Sequence, residues 1–174
     1  MVPDLEPLIR KLARAQRDLL SAADTVPPDH WKISHRHGVW CAAQLVAHLI
    51  TIERSVIAKA DRVLQHPPKP VSLLKRFHLP LALVEKRLIR RNTPMPLDLQ
   101  LIRETEEMLA QLRHVRERSL AFTEETQGRD LSQYRWRHPF LGSFNVYGWL
   151  AFIASHQIRH ARQMREIAAA YRKP

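Results

Sequence analysis

Apolar residues recur at every third or fourth position along four long stretches of the chain, with polar and charged residues between them. This period is that of an α-helix with one buried face. The stretches cover residues 4–24, 40–65, 98–126 and 144–171. Proline pairs at 27–28 and 67–68 end the first two, since proline cannot continue a helix. With almost no strand signal elsewhere, the pattern predicts an all-α fold, a four-helix bundle.

The ends and faces of these helices are predicted from single residues. Asp4 is a candidate N-cap of the first helix, and Ser143 or Asn145 of the last. On the third helix we expect an inward face made of Leu101, Thr105, Met108, Leu112, Val115, Ser119 and Phe122. The charged residues Glu104, Glu106, Glu107, Arg113, Arg116 and Arg118 are predicted to face outward. Residues 130–144, before the last helix, are predicted to form a loop.

The connection between the second and third helices is long and contains six prolines between residues 66 and 98. Its residues 69–91 include a basic, partly amphipathic stretch. Such a stretch could touch a membrane surface, nucleic acid or another subunit, but a solvated crossover at one end of the bundle is the simpler interpretation. The connector at 26–39 carries His35 and His37, which we expect to be exposed to solvent.

Histidines interrupt two of the apolar stripes. On the last helix, His156 and His160 lie four residues apart on the stripe that also contains Trp149, Ile153, Gln163 and Ile167. His48 shares the stripe of the second helix with Leu45 and Ile52. A lone histidine in such a place is more often a hydrogen-bonded core residue than a ligand, and chance alone gives about half of one four-residue pair in this composition. Three buried imidazoles without partners would cost about 1–3 kcal/mol each, which a shared metal ion would remove.

Length and composition limit the class of protein. A chain of 174 residues is expected to form one domain, residues 1–174, with a core of its own. No stretch is long and apolar enough for a signal peptide or a membrane span. The single cysteine, Cys41, excludes a disulfide framework and favours a cytoplasmic location.

The chain is strongly basic, with 28 Lys plus Arg against 17 Asp plus Glu and a formal net charge of +11. This excess favours an anionic partner, which could be nucleic acid, a lipid surface or a small acid. The glycines show no phosphate-loop spacing, so no nucleotide-binding motif is predicted. A nucleic-acid-binding function would use the crossover cations Lys75, Arg76, Lys86, Arg87, Arg90 and Arg91.

Two segments together resemble a known family. The first is Trp40-Cys41-Ala42-Ala43-Gln44-Leu45-Val46-Ala47-His48-Leu49, followed by Glu53. The second is His138-Pro139-Phe140-Leu141-Gly142, followed by Trp149-Leu150 and by His156-Gln157-Ile158-Arg159-His160-Ala161-Arg162-Gln163. Both resemble motifs of the DinB/YfiT-like metal-binding helical bundles. Cys41 departs from the pattern, because members commonly carry Ser or Thr there as a helix cap.

The resemblance implies a metal-binding four-helix bundle, often a homodimer, in which His48, His156 and His160 bind a divalent ion such as zinc or nickel. Characterised relatives include S-transferases and isomerases that use a low-molecular-weight thiol. It therefore implies a metal-dependent thiol S-transferase, or a hydrolase, acting on a small molecule. Three neutral imidazoles would leave the full charge on the ion, which lowers the pKa of a bound thiol or water.

Other residues have weaker claims to a role. Glu53 lies about 140° around the helix from His48, so it is expected either to orient a ligand histidine or to pair with an arginine. His138 could line the mouth of the site or form a structural turn. Trp149 is expected in the core, Cys41 to be inert, and Arg159 and Arg162 to be solvated or to steer an anionic substrate. A non-catalytic protein, stabilised by its metal and binding a partner through its basic surface, remains the alternative.

Overall fold

The computed structural model describes residues 3–68, 77–86 and 98–172. Its helices are α1 (Glu6–Ala23), α2 (Ala42–Leu64), α3 (Ala82–Glu85), α4 (Thr105–Glu125) and α5 (Val146–Ala170). Short 3-10 helices span Pro28–His30 and Leu99–Leu101, and an antiparallel pair of strands consists of β1 (Arg135–His138) and β2 (Gly142–Asn145). The described chain is therefore mostly helical with one small sheet.

The four long helices α1, α2, α4 and α5 correspond to the four apolar patterns of the sequence and pack on one another. Helix α5 contacts α1 and α2, and α4 contacts the same two helices. The start of the third helix was wrong in the sequence prediction. Residues 99–101 form a 3-10 turn, in which Asp98 accepts a hydrogen bond from the backbone N–H of Gln100, and α4 begins only at Thr105.

Side chains at the helix starts satisfy backbone N–H groups that have no partner within the helix. The side-chain oxygen of Asn145 accepts a hydrogen bond from Gly148 N at 2.8 Å, so Asn145 rather than Ser143 caps α5. Asp4 accepts a hydrogen bond from Glu6 N at 3.0 Å, although the residue at the N-cap position is Leu5. At α2, Gln44 accepts a hydrogen bond from the backbone N–H of Cys41 at 3.0 Å.

The hairpin of β1 and β2 replaces the loop that the sequence predicted. His138 pairs with Gly142, and Arg135 pairs with Asn145. The segment at residues 77–79 joins this hairpin, because Phe77 accepts a hydrogen bond from Ser143 N and Leu79 donates one to Leu141. The two strands, RWRH and GSFN, have only four residues each and contain one large apolar residue apiece, too few to show the alternation on which a strand prediction depends.

Within the predicted crossover at residues 69–91, the structure describes residues 77–86. Residues 69–76 and 87–97 lie outside the described part of the chain. Helix α3 of the crossover is held against α1 and α5: the carboxylate of Glu85 accepts hydrogen bonds from Lys11 at 2.9 Å and from Ser155 at 2.7 Å. Arg159 and Arg162 donate to the backbone carbonyls of Val84 and Glu85. Lysines and arginines commonly satisfy the last carbonyls of a helix in this way.

The predicted nucleic-acid-binding cations lie almost entirely outside the described residues. Lys86 is described, whereas Lys75, Arg76, Arg87, Arg90 and Arg91 are not. Among the helices of the described ranges, none combines the length and the apolar character needed to cross a membrane.

The geometry of Gly142, in the hairpin turn, predicts that substitution by alanine lowers the stability of the fold. Gly142 has a φ of +94°, and an added Cβ would lie 2.4 Å from the carbonyl oxygen of Phe77. Gly128 has a similar φ of +82° but open space around it. We expect Gly142→Ala to lower the free energy of unfolding by about 1–3 kcal/mol more than Gly128→Ala, measured by urea denaturation. Equal losses would mean that the close approach to Phe77 costs nothing.

Candidate metal centre

Three histidines from two helices meet between α2 and α5. His48 Nε2 lies 3.3 Å from His156 Nε2, and His160 Nε2 lies 3.0 Å from the same atom. The structure thus brings together the three ligands expected from the sequence, with one nitrogen of each ring within 4.8 Å of the others. His156 and His160 are adjacent on one face of α5 because they are four residues apart.

The spacing of the three nitrogens fits a metal ion. Nitrogens bound at the usual zinc–nitrogen distance with tetrahedral angles lie about 3.4 Å apart. His160 Nδ1 lies 3.0 Å from the side-chain oxygen of Gln163, which can only accept a hydrogen bond. The proton of a neutral His160 is therefore on Nδ1, and its Nε2 directs a lone pair at the other two rings. Lone pairs at this distance repel one another unless a proton or a cation lies between them.

Burial favours the neutral form of His48 and His156. Loss of hydration lowers the pKa of His48 from 6.5 to about 4. The pKa of His156 is well below 6.5, mainly because of burial and further because of the positive charges that His160, His48, Arg159 and His138 can carry. At neutral pH the lone pairs of His48 and His156 are free of protons, which is the state that a metal ion requires.

Aromatic rings form the surroundings of the cluster. Trp40 packs against His48 with ring centroids 5.0 Å apart, and Phe152 stacks on His156 at 5.2 Å with an interplanar angle of 17°. His48 and His160 are each 6% exposed, whereas His156 retains more exposed surface. The cluster is therefore enclosed by apolar rings.

Glu53 belongs to a second buried polar cluster. It pairs with Arg116 at 3.0 Å and accepts hydrogen bonds from Ser119 at 2.7 Å and from Gln157 at 3.2 Å. Of the two roles considered for Glu53, pairing with an arginine is the one that the described contacts contain. Burial raises the pKa of Glu53 and lowers that of Arg116, and the charge of each partner opposes the other's shift.

The sequence prediction for Arg116 was wrong. It was assigned to the outward face of the third helix, but its side chain is fully buried. The spacing contained a signal, because Arg116 lies four residues after Leu112 and three before Ser119, which are both on the inward face. The sequence prediction placed Arg116 outside because a charged arginine is rarely buried without a partner. That partner is Glu53, which lies 63 residues away in sequence and gives no local signal.

The remaining candidates take positions around the cluster or away from it. Trp149 is buried and donates from Nε1 to the backbone oxygen of Trp136 at 3.2 Å. Cys41 is buried at the start of α2, while His35 and His37 are exposed, as expected. His138 packs against Phe152 with ring centroids 4.7 Å apart, but it is not one of the three clustered histidines.

The fold and the site together define a class: a mostly helical protein whose three clustered histidines could hold a metal ion. A sequence model of the DinB superfamily matches residues 11–164. The chain therefore belongs to the DinB superfamily, which confirms the resemblance found in its motifs. A search of curated proteins finds no match.

The buried pair predicts a strong dependence of stability on Arg116. Arg116→Met would leave the carboxylate of Glu53 buried without its cation, and we expect a loss of about 3–5 kcal/mol in the free energy of unfolding. Adding Glu53→Gln should restore part of that loss, because the amide carries no charge to compensate. Urea denaturation of both single variants and the double variant measures the coupling; strictly additive losses would contradict it.

The lowered histidine pKa predicts how stability depends on pH in chelator-treated protein. Between pH 6.5 and about 4, unfolded His48 takes up a proton that folded His48 does not, so the free energy of unfolding falls as the pH falls through this range. The contribution of His48 lost by pH 5 is about 2 kcal/mol. In His48→Gln the decrease between pH 7 and pH 5 should be smaller by this amount. Parallel curves for the two proteins would show that His48 is not held neutral.

Proposed function

We propose that this DinB-superfamily protein is a metal-dependent thiol S-transferase, or a hydrolase, that acts on a small molecule at the ion held by His48, His156 and His160. The observation that carries the proposal is the convergence of three buried Nε2 atoms from two helices, 3.0 and 3.3 Å apart in successive pairs. We further propose that zinc or nickel is the resident ion, since imidazole nitrogen suits both.

Three neutral ligands would preserve the charge of the ion and leave coordination positions open. The bound ion supplies acidity, because it lowers the pKa of a thiol or a water so that the nucleophile forms near neutral pH. The chain supplies orientation. Gln163 fixes the tautomer of His160, and the rings of Phe152 and Trp40 pack against His156 and His48.

The proposal assigns no general base to a carboxylate. Within the described residues the cluster contains histidines alone, and Glu53 is engaged by Arg116, Ser119 and Gln157. An ion held by the three histidines would lower the pKa of a bound thiol enough that no strong base would be needed. This favours a thiol as the nucleophile, and we propose a low-molecular-weight thiol as co-substrate.

The alternative function is a non-catalytic protein in which the ion only joins helices. It has its own support, since His48 belongs to α2 and the other two histidines belong to α5. In that case His48→Ala should lower the melting temperature of the metal-loaded protein strongly. In a catalytic site the same change should abolish turnover with a modest loss of stability. The basic surface would then bind an anionic partner, and nucleic-acid affinity that falls steeply with salt would support it.

The remaining expectations belong to the same proposal. We propose that the four long helices form a four-helix bundle, that residues 1–174 are one domain, and that the protein is a cytoplasmic homodimer. The family match over residues 11–164 supports one continuous domain. Helices α1 and α2 each contact both α4 and α5, and this packing supports a bundle.

The first test is metal content of protein purified without a histidine tag and incubated with zinc or nickel. We expect about one divalent ion per chain, and a loss of that ion in His156→Ala. His37→Ala removes an exposed histidine and is the matched control, which should keep its ion. A wild-type chain that takes up no ion would return the three histidines to a structural role.

The second stage of this test is turnover of a thiol with a model electrophile, such as glutathione with 1-chloro-2,4-dinitrobenzene. We expect the metal-loaded protein to exceed the chelated protein and His156→Ala in initial rate. Equal rates across several thiols and electrophiles, with the ion bound, would favour the non-catalytic alternative.

A further inference from the structure

A fourth histidine stands beside the cluster without joining it. His138 is the last residue of β1, and its ring lies among Phe144, Trp149 and Phe152 at centroid distances of 6.1, 5.4 and 4.7 Å. The ring of Phe152 also stacks on His156 at 5.2 Å. One aromatic ring therefore separates His138 from a candidate metal ligand. Both histidines retain some exposed surface.

The hairpin turn fixes the tautomer of His138. Its Nδ1 lies 3.1 Å from the backbone nitrogen of Phe140 and 3.2 Å from that of Leu141. Backbone N–H groups only donate, so Nδ1 must accept both bonds with its lone pair. The proton of the neutral ring is then on Nε2, on the side of the ring away from the turn. Burial lowers the pKa of His138 to about 4, so the ring is neutral at physiological pH.

This tautomer makes His138 a hydrogen-bond donor and not a further metal ligand. To bind an ion through Nε2, the ring would have to move its proton to Nδ1 and break both bonds to the turn. Within the part of the chain that the structure describes, Nε2–H has no hydrogen-bond partner. A donor held in a wall of aromatic rings, with its other nitrogen committed, is well suited to bind an oxygen atom of a ligand.

We propose that His138 binds the substrate through Nε2–H, by donating a hydrogen bond to a carboxylate oxygen remote from the reacting atom. This role rests on the proposed function, since it needs a ligand whose other end is at the three-histidine centre. Phe152 is itself buried and holds the two histidines apart, so the ligand needs an apolar spacer long enough to pass this ring. The substrate class is therefore a carboxylic acid with an aromatic or other apolar part between its carboxylate and its reacting group.

Two substitutions separate the two nitrogens of His138. In His138→Asn, the side-chain oxygen can replace Nδ1 as acceptor for the turn, but no donor reaches the place of Nε2. In His138→Gln, the amide nitrogen can reach the place of Nε2, but the turn loses its acceptor. If His138 binds the substrate, His138→Asn should lose the preference for a ligand with a carboxylate and His138→Gln should keep it. A purely structural role in the turn predicts the reverse.

The experiment measures binding by the zinc-loaded protein of 4-mercaptobenzoate and of thiophenol, which lacks the carboxylate, by isothermal titration calorimetry at one pH. Wild type and His138→Gln should bind 4-mercaptobenzoate about tenfold or more tightly than thiophenol, after correction for the fraction of each thiol that is ionised. His138→Asn should bind the two thiols with equal affinity. Zinc content should be the same in all three proteins, because His138 is not a ligand.

The outcomes distinguish this inference from the function on which it rests. If zinc and thiophenol bind but wild type shows no preference for the carboxylate, or if His138→Asn keeps the preference, the role of His138 is wrong and the centre stands. Loss of zinc in His138→Asn would also contradict it. If wild type binds no zinc or no thiophenol, the proposed function fails and this role fails with it.

Discussion

The buried ion pair of Glu53 and Arg116 is the interaction on which the arrangement of the helices depends. Glu53 comes from α2 and Arg116 from α4, and Gln157 joins them from α5. Two opposite charges without water are stable only when they are paired in good geometry, so none of the three helices can rotate or slide without a large cost. His48 precedes Glu53 by five residues and His156 precedes Gln157 by one. By holding α2 and α5 in place, the Glu53–Arg116 ion pair and Gln157 therefore also position His48 and His156.

The two polar clusters of the core differ in charge. In the ion pair each charge compensates the other, although Arg116 Nε and Nη1 are buried without a hydrogen-bond partner among the described residues. The histidine cluster instead brings three imidazole nitrogens together, and the lowered pKa values of His48 and His156 favour the neutral form of those two rings. A neutral ring can place one proton between these nitrogens, whereas a bound cation would accept a lone pair from all three rings at once. The geometry brings together the same three residues that the motif resemblance implies as ligands.

Much of this organisation could be predicted from the sequence, because helical periodicity carries long-range consequences. The spacing of His156 and His160, and the place of His48 on an apolar stripe, identified residues that the fold brings together. Arg116 could not be placed, since its burial depends on a carboxylate that is distant in sequence. The hairpin was missed because its strands are short and are stabilised by pairing with residues 77–79, which no local pattern reports.

The separation of the histidines along the chain has a consequence for folding. His48 and His156 are 108 residues apart in sequence, and the single cysteine cannot form a disulfide within the chain. An ion bound to all three rings would be a reversible cross-link that closes a loop of this length. Closing a long loop removes conformational entropy from the unfolded chain, as a disulfide does. His156 and His160 are both on α5, so they could bind an ion before α2 packs against α5. His48 would complete the cross-link only when α2 docks.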